Sequence, residues 1–140
     1  MITVSSHILK TMVAIATRRG VDTGPVLARV GVEPALLQDP DARAPLAVED
    51  ALWEALAEAC GDPCFGLHGP QHHETSEWDL LGYLVRSART VGEALQKLAR
   101  FNALMHDVAV FEVTRHGDTA TLSHHFRGHR AGASWQAADF

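Results

Sequence analysis

The strongest constraint on this chain is a change of hydrophobic period between residues 91 and 126. Val91, Ala94, Leu95, Leu98, Phe101 (or Asn102) and Met105 recur at three- and four-residue steps, which puts one apolar stripe on a helix ending near His106-Asp107. Thr90 followed three residues later by Glu93 predicts a capping box at its start, each side chain satisfying an amide otherwise left open. Beyond Asp107 the period becomes two. Val108–Thr114 and Thr119–Phe126 are rich in β-branched and aromatic residues, with Arg115-His116-Gly117-Asp118 between them as a hairpin turn. A chain with both periods side by side must be of the α+β class, with the hairpin's apolar face laid against a helix.

If His116-Gly117 are the turn residues, counting gives the pairs. Val113 faces Ala120, Phe111 faces Leu122, and Ala109 faces His124. That face is apolar apart from His124, and the opposite one carries Glu112, Thr114, Thr119, Thr121, Ser123 and His125. A small-molecule pocket needs mostly apolar walls with a few fixed polar groups. The candidates for one are Trp78, Tyr83, His106, Phe111, Leu122 and His124. Each has a structural alternative, His106 as a helix C-terminal cation for example.

Upstream, the chain reads as five to six helices. Ser5-Ser6 can cap a first helix that ends in Arg18-Arg19-Gly20. A second, short helix begins at Asp22 or Thr23, has Pro25 early, and stops at Gly31. As a DNA-reading pair these two are poor, because the second offers only Arg29 where a recognition helix needs several polar and basic groups. Pro34–Leu37 is one helical turn, and a loop rich in proline and aspartate leads to a helix over about Ala47 to Cys60. Its spacing puts Val48, Leu52, Ala55, Leu56 and Ala59 on one side. Glu49, Asp50, Glu54 and Glu58 fall on the other, read as a solvated back and not as acid catalysts.

No metal site, cofactor motif or catalytic constellation emerges. His68 and His72 have the spacing of two ligands on one helical face, but Gly69-Pro70 breaks that helix. His73-Glu74-x-x-Glu77 lacks the second histidine of a zinc-protease motif, leaving a small enzyme built on His72-His73-Glu74 as the weakest reading. Cys60 and Cys64 have three residues between them, neither a redox nor a zinc-ribbon spacing, and read as ordinary reduced thiols. With 140 residues and a net charge of −5, the chain suits one domain and is poorly built to neutralise phosphates. No signal peptide or membrane span is legible, so a cytoplasmic protein with no membrane partner is expected.

The order of these segments resembles the N-terminal effector-sensing domain, of the arabinose-binding type, of AraC-type transcription regulators. Gly82-Tyr83-Leu84-Val85-Arg86-Ser87-Ala88 followed by Thr90-Val91-Gly92-Glu93-Ala94-Leu95 carries the resemblance most clearly. Arg18–Asp22, Val30–Leu37, Leu52–Glu58, Gly61-Asp62-Pro63 and Phe65-Gly66-Leu67 extend it over most of the chain. The resemblance implies a ligand-sensing domain that is not an enzyme, has a small-molecule effector, and reaches DNA only through a helix-turn-helix domain missing from this chain. A homodimer is compatible with it. The alternative is a protein-interaction or dimerisation module without a small ligand. Such regulators continue beyond the point where this chain stops, at Phe140. One effector-sensing domain over 1–140, truncated at its C-terminal end and with an incomplete sheet, is therefore the expectation. An acidic domain of this kind is not expected to bind duplex DNA specifically by itself.

Overall fold

The computed structural model describes residues 1–73, 80–128 and 135–139. Helices and a two-stranded antiparallel hairpin make an α+β fold, with six α-helices before the hairpin and one after it among the described residues. The chain forms two compact units. One comprises Met1–Glu77 together with Ala131–Phe140, and Trp78–Arg130 is inserted between those pieces as the other.

The first unit opens on a strand that the helical periodicity gave no hint of. β1 (Thr3–Ser5) pairs antiparallel with β2 (Arg43–Pro45), burying Val4 and Ala44 against the core. Ser5 caps α1 (Ser6–Arg18) by accepting from the His7 amide, and α2 (Gly24–Val30) follows. The first three helices of this unit end on left-handed glycines: Gly20 (φ +84°) follows α1, its amide bonds the Thr17 carbonyl, and the Val21 amide bonds Ala16. Gly31 takes a left-handed conformation, its amide bonds the Ala28 carbonyl, and the amide of buried Val32 bonds Leu27. Gly61 (φ +60°) ends α3 (Leu46–Ala59) likewise, with the Asp62 amide on Ala57.

The core of this unit lies between α1, α2 and α3: Leu9, Met12, Ile15, Leu27, Leu52, Trp53 and Leu56 are buried, and Phe65 joins them from α4 (Phe65–His68). Here the solvated back of α3 needs one correction. Asp50, Glu54 and Glu58 are at least partly accessible, but Glu49 is 3 % exposed and its carboxylate accepts the Trp53 indole N–H at 3.3 Å. Four residues separate them, one turn of helix, so tryptophan's need for an acceptor draws the carboxylate inward.

Asp62 organises the end of α3. Its Oδ1 accepts the Cys64 amide at 2.9 Å, and its Oδ2 accepts from Arg19 at 2.7 Å and pairs with His68 Nδ1 at 2.9 Å. The Arg19 guanidinium also lies over the Phe65 ring, 5.7 Å from its centre. The His68 contact, helped by Arg19 and the Cys64 amide, holds the Asp62 carboxyl down at about 2. A depressed carboxyl stabilises the fold above its unfolded value and loses that contribution as pH falls through the folded one. The urea midpoint should therefore drop between about pH 4 and pH 2, and Asp62→Asn should flatten that drop while lowering the midpoint at neutral pH. Cys60 and Cys64 are free thiols, and burial pushes Cys60 up, which keeps it protonated.

α7 (Trp135–Asp139) returns to this unit and docks on α4, with Gln136 supplying the hydrogen bonds and Ala137 packing against the core. Gln136 is buried; its amide oxygen accepts the Gly66 N–H at 2.7 Å, and its amide nitrogen donates to the Pro63 carbonyl at 2.6 Å. Ser134 and Phe140, which flank it in sequence, lie outside the described residues.

The inserted unit contains α5 (Leu80–Arg86), α6 (Val91–Phe101), β3 (Ala109–His116) and β4 (Thr119–Phe126). Thr90 caps α6 as expected, accepting the Glu93 amide at 3.1 Å. The return bond is displaced by one residue, since Glu93 accepts from the Arg89 amide and not from Thr90. β3 packs on α6, but the apolar stripe of α6 is only half-covered and Val91 is exposed. Leu81 and Val108 are the buried apolar residues described in this unit, which is a thinner core than that of the first.

Candidate functional site

The hairpin turn lies one residue later than counted. Gly117 and Asp118 are its two central residues, and Gly117 has φ +58°, as a II′-type turn requires of its first central position. His116 therefore faces Thr119, Val113 faces Leu122, Phe111 faces His124, and Ala109 faces Phe126. The slip is two residues in the pairing, and an even slip keeps every side chain on its predicted face. The expected face survives with different partners.

The new register puts Phe111 and His124 side by side, their rings stacked with centres 4.4 Å apart and planes 13° apart. Phe126 tilts against the same imidazole at 5.0 Å and against His106 at 5.8 Å. Three of the expected candidates, His106, Phe111 and His124, are thus joined, and Phe126 is the residue that joins them. Its parity with His124 marks it, in the sequence, as sharing the face.

His106 is not in the last turn of α6, which ends at Phe101. Its ring is buried, and Nδ1 accepts the backbone N–H groups of Val108 at 3.3 Å and Ala109 at 3.1 Å, which leaves the ring proton on Nε2. Asn102, named only as an alternative to Phe101 on the helical stripe, is buried too and donates its side-chain N–H to the Ala109 carbonyl at 2.9 Å. Together they tie the end of α6 to the start of β3.

The face of β4 that carries His124 is more open than expected. His124 is exposed, and so is Leu122, at 41 %, because α6 covers β3 and leaves β4 beyond its reach. Even so, desolvation by its ring neighbours pushes the His124 imidazole below its ordinary 6.5, with His106 and His125 pushing the same way. The unfolded chain then binds this proton more readily, so stability is lost as pH falls below about 6.5. Proton NMR should show His124 titrating below that value. Phe126→Ala, by re-exposing the ring, should bring its midpoint back toward 6.5; an unchanged midpoint would exclude the aromatic contact as the cause.

The remaining candidates fall elsewhere. Tyr83 is 74 % exposed and borders a shallow cleft of about 250 Å³ with Arg86 and Ser87. Trp78 lies outside the described residues. Among the described residues, no group of three or more His, Cys, Asp or Glu side chains is placed to hold a metal ion, and no helix is long and apolar enough to cross a membrane.

What this arrangement offers is a flat aromatic surface with imidazole nitrogens and no carboxylate, lysine or arginine in the cluster. Arg115, which shares the face near the turn, is occupied by the Gly117 carbonyl at 3.1 Å.

Residues 20–138 match the family described as the arabinose-binding domain of AraC transcription regulators, N-terminal. The chain is also 35 % identical over 107 residues to uncharacterised HTH-type transcriptional regulators of Mycobacterium tuberculosis and Mycobacterium bovis. Those matches cover 74 % of this chain and 31 % of each relative, so the chain spans about a third of their length. The family is one of transcription-regulator domains, not of enzymes. This chain belongs to the arabinose-binding N-terminal domain family of AraC transcription regulators.

Proposed function

We propose that the chain senses a small metabolite and, in the longer regulators to which it is similar, biases an attached helix-turn-helix domain between two arrangements. Such control requires the ligand to bind the two arrangements with different affinity. The ligand site proposed is the face formed by His106, Phe111, Leu122, His124 and Phe126, with Trp78 and Tyr83 as the remaining candidates. The observation that carries this reading is the stacked Phe111–His124 pair beside the buried His106. It places hydrogen-bonding imidazoles on an apolar surface with no competing charge, which is the composition of a small-molecule site. A neutral, flat ligand suits that surface better than an anion, because no lysine or arginine stands in the cluster. The family's name is not an argument for arabinose.

The test is an NMR titration of the histidine ring resonances with a panel of neutral sugars, neutral aromatic metabolites and carboxylates. A neutral compound should shift His106 and His124 together, and Phe111→Ala should weaken that response. Compounds that bind while leaving both imidazoles unmoved would place the site elsewhere.

A further inference from the structure

The net charge of −5 is unevenly divided along the chain. Residues 78–130 carry seven lysines and arginines against five carboxylates, and the remaining residues carry five against twelve. Within the inserted unit, α5, α6 and the turn joining them hold Arg86, Arg89, Lys97 and Arg100, with Glu93 as their single carboxylate. Both oxygens of that carboxylate are engaged. Oε2 accepts the Arg89 amide at 2.9 Å, and Oε1 pairs with the Lys97 ammonium at 3.0 Å.

The cleft beside Tyr83 lies in this basic region. Tyr83 and Ser87 stand one helical turn apart on its wall, with the Arg86 guanidinium between them in sequence. The Ser87 hydroxyl donates to the Leu84 carbonyl at 2.7 Å, and its oxygen accepts from Lys97 Nζ at 3.1 Å. Lys97 thus brings an ammonium from α6 to a residue of the cleft wall. An ammonium has three N–H donors, of which Ser87 and Glu93 take two. The Lys97 side chain is only 24 % exposed and is tied at its tip, so the charge is positioned before a ligand arrives. Arginine adds a planar fork that matches a carboxylate or phosphate group, where lysine acts as a point charge.

We infer that this cleft binds a small organic anion, a carboxylate or phosphate carried on a planar body. Arg86 and Lys97 hold the anionic group, the Tyr83 ring lies along the planar body, and Glu93 is a positioning residue that steers Lys97. The cleft, of about 250 Å³, is a little smaller than the roughly 300–1,000 Å³ of sites for drug-sized ligands, which sets the size of the anion. The site goes beyond the hairpin reading. It takes a ligand of opposite chemistry and shares no residue with the face formed by His106, Phe111, Leu122, His124 and Phe126.

Tyr83 is the only tyrosine of the 140-residue chain, so isotope-labelled tyrosine gives ring signals from this cleft alone. The test is an NMR titration of the full chain with phenyl phosphate, benzoate and phenol at low salt. Phenyl phosphate or benzoate should move the Tyr83 signals saturably, and the tighter of the two identifies the anionic group. Phenol has the ring without the charge and should bind at least about tenfold more weakly. Arg86→Gln and Lys97→Met should each weaken the anion at least about threefold with the far-ultraviolet spectrum unchanged, and added salt should act in the same direction. Tyr83 signals that stay still with both anions overturn the inference, as does phenol binding as tightly as they do, or anion binding indifferent to both substitutions. An anion that moves the His106 and His124 rings and not Tyr83 overturns it too. Neutral compounds that bind without moving those imidazoles count against the hairpin reading alone.

Discussion

Trp53→Ala is expected to bring the first unit close to unfolding. Trp53 is 1 % exposed at the centre of the α1–α3 core, and its ring tilts against Phe65 at 5.8 Å. Truncating a buried tryptophan costs ~3–5 kcal/mol through lost transfer energy and the cavity left behind. Whole-domain stabilities are only ~5–15 kcal/mol. The change also takes the indole donor from the buried Glu49 carboxylate, and a buried acceptor that loses a donor adds about 1–3 kcal/mol. Trp135→Ala is the control, since that ring is 83 % exposed and should cost little. Urea denaturation followed by far-ultraviolet circular dichroism checks both. A loss under about 1 kcal/mol for Trp53→Ala would mean that the core does not close around this ring.

The second large effect is expected at Gly66, where two contributions oppose each other. Gly66 lies in the short α4 helix, where alanine is favoured over glycine by up to about 1 kcal/mol. Against that, an added Cβ would overlap the Gln136 carbonyl oxygen and come within 2.8 Å of the Gln136 Cα. Those are backbone atoms, so relief requires moving α7 as a whole. Doing so breaks both Gln136 bonds and opens the buried Gly66 amide to solvent. Two such bonds amount to ~1–3 kcal/mol. The collision wins, and Gly66→Ala should lower the melting temperature by several degrees. Hydrogen exchange should show faster exchange across 135–139 with α1 unaffected. A variant as stable as the wild type, with α7 still protected, would contradict the close approach.

Much of this architecture is legible in the sequence, because it depends on neighbours. The caps at Ser5 and Thr90, the stops at Gly31 and Gly61, and the two periods around Asp107 are all set by residues within one turn of each other. The hairpin was legible in its faces and not in its partners. Gly117 could serve as either central residue of the turn, and the two choices differ by an even slip that composition cannot see. Glu49 was misplaced because periodicity assigns a side by angle alone. It cannot register that an indole N–H one turn away needs an acceptor. The three-residue β1 and β2 are too short to show a period, and Gln136 on Gly66 joins residues 70 positions apart. Within the candidate site, His124 was readable as the polar exception on an apolar face, and His106 only as a residue at the helix end. The acceptor role of His106 follows from the turn after α6, which no spacing rule predicts.

That last long-range contact has a consequence for the order in which the chain can become stable. The Gly66 amide and the Pro63 carbonyl are made early in synthesis, while the glutamine that bonds both follows the whole of Trp78–Arg130. Until then the first unit lacks a piece of its own packing, and closing it costs entropy that grows with the freedom of the intervening chain. An inserted unit that is already ordered leaves less freedom to lose. Whatever steadies Trp78–Arg130 should therefore also tighten the far end of the polypeptide, by shortening the effective loop and without touching it.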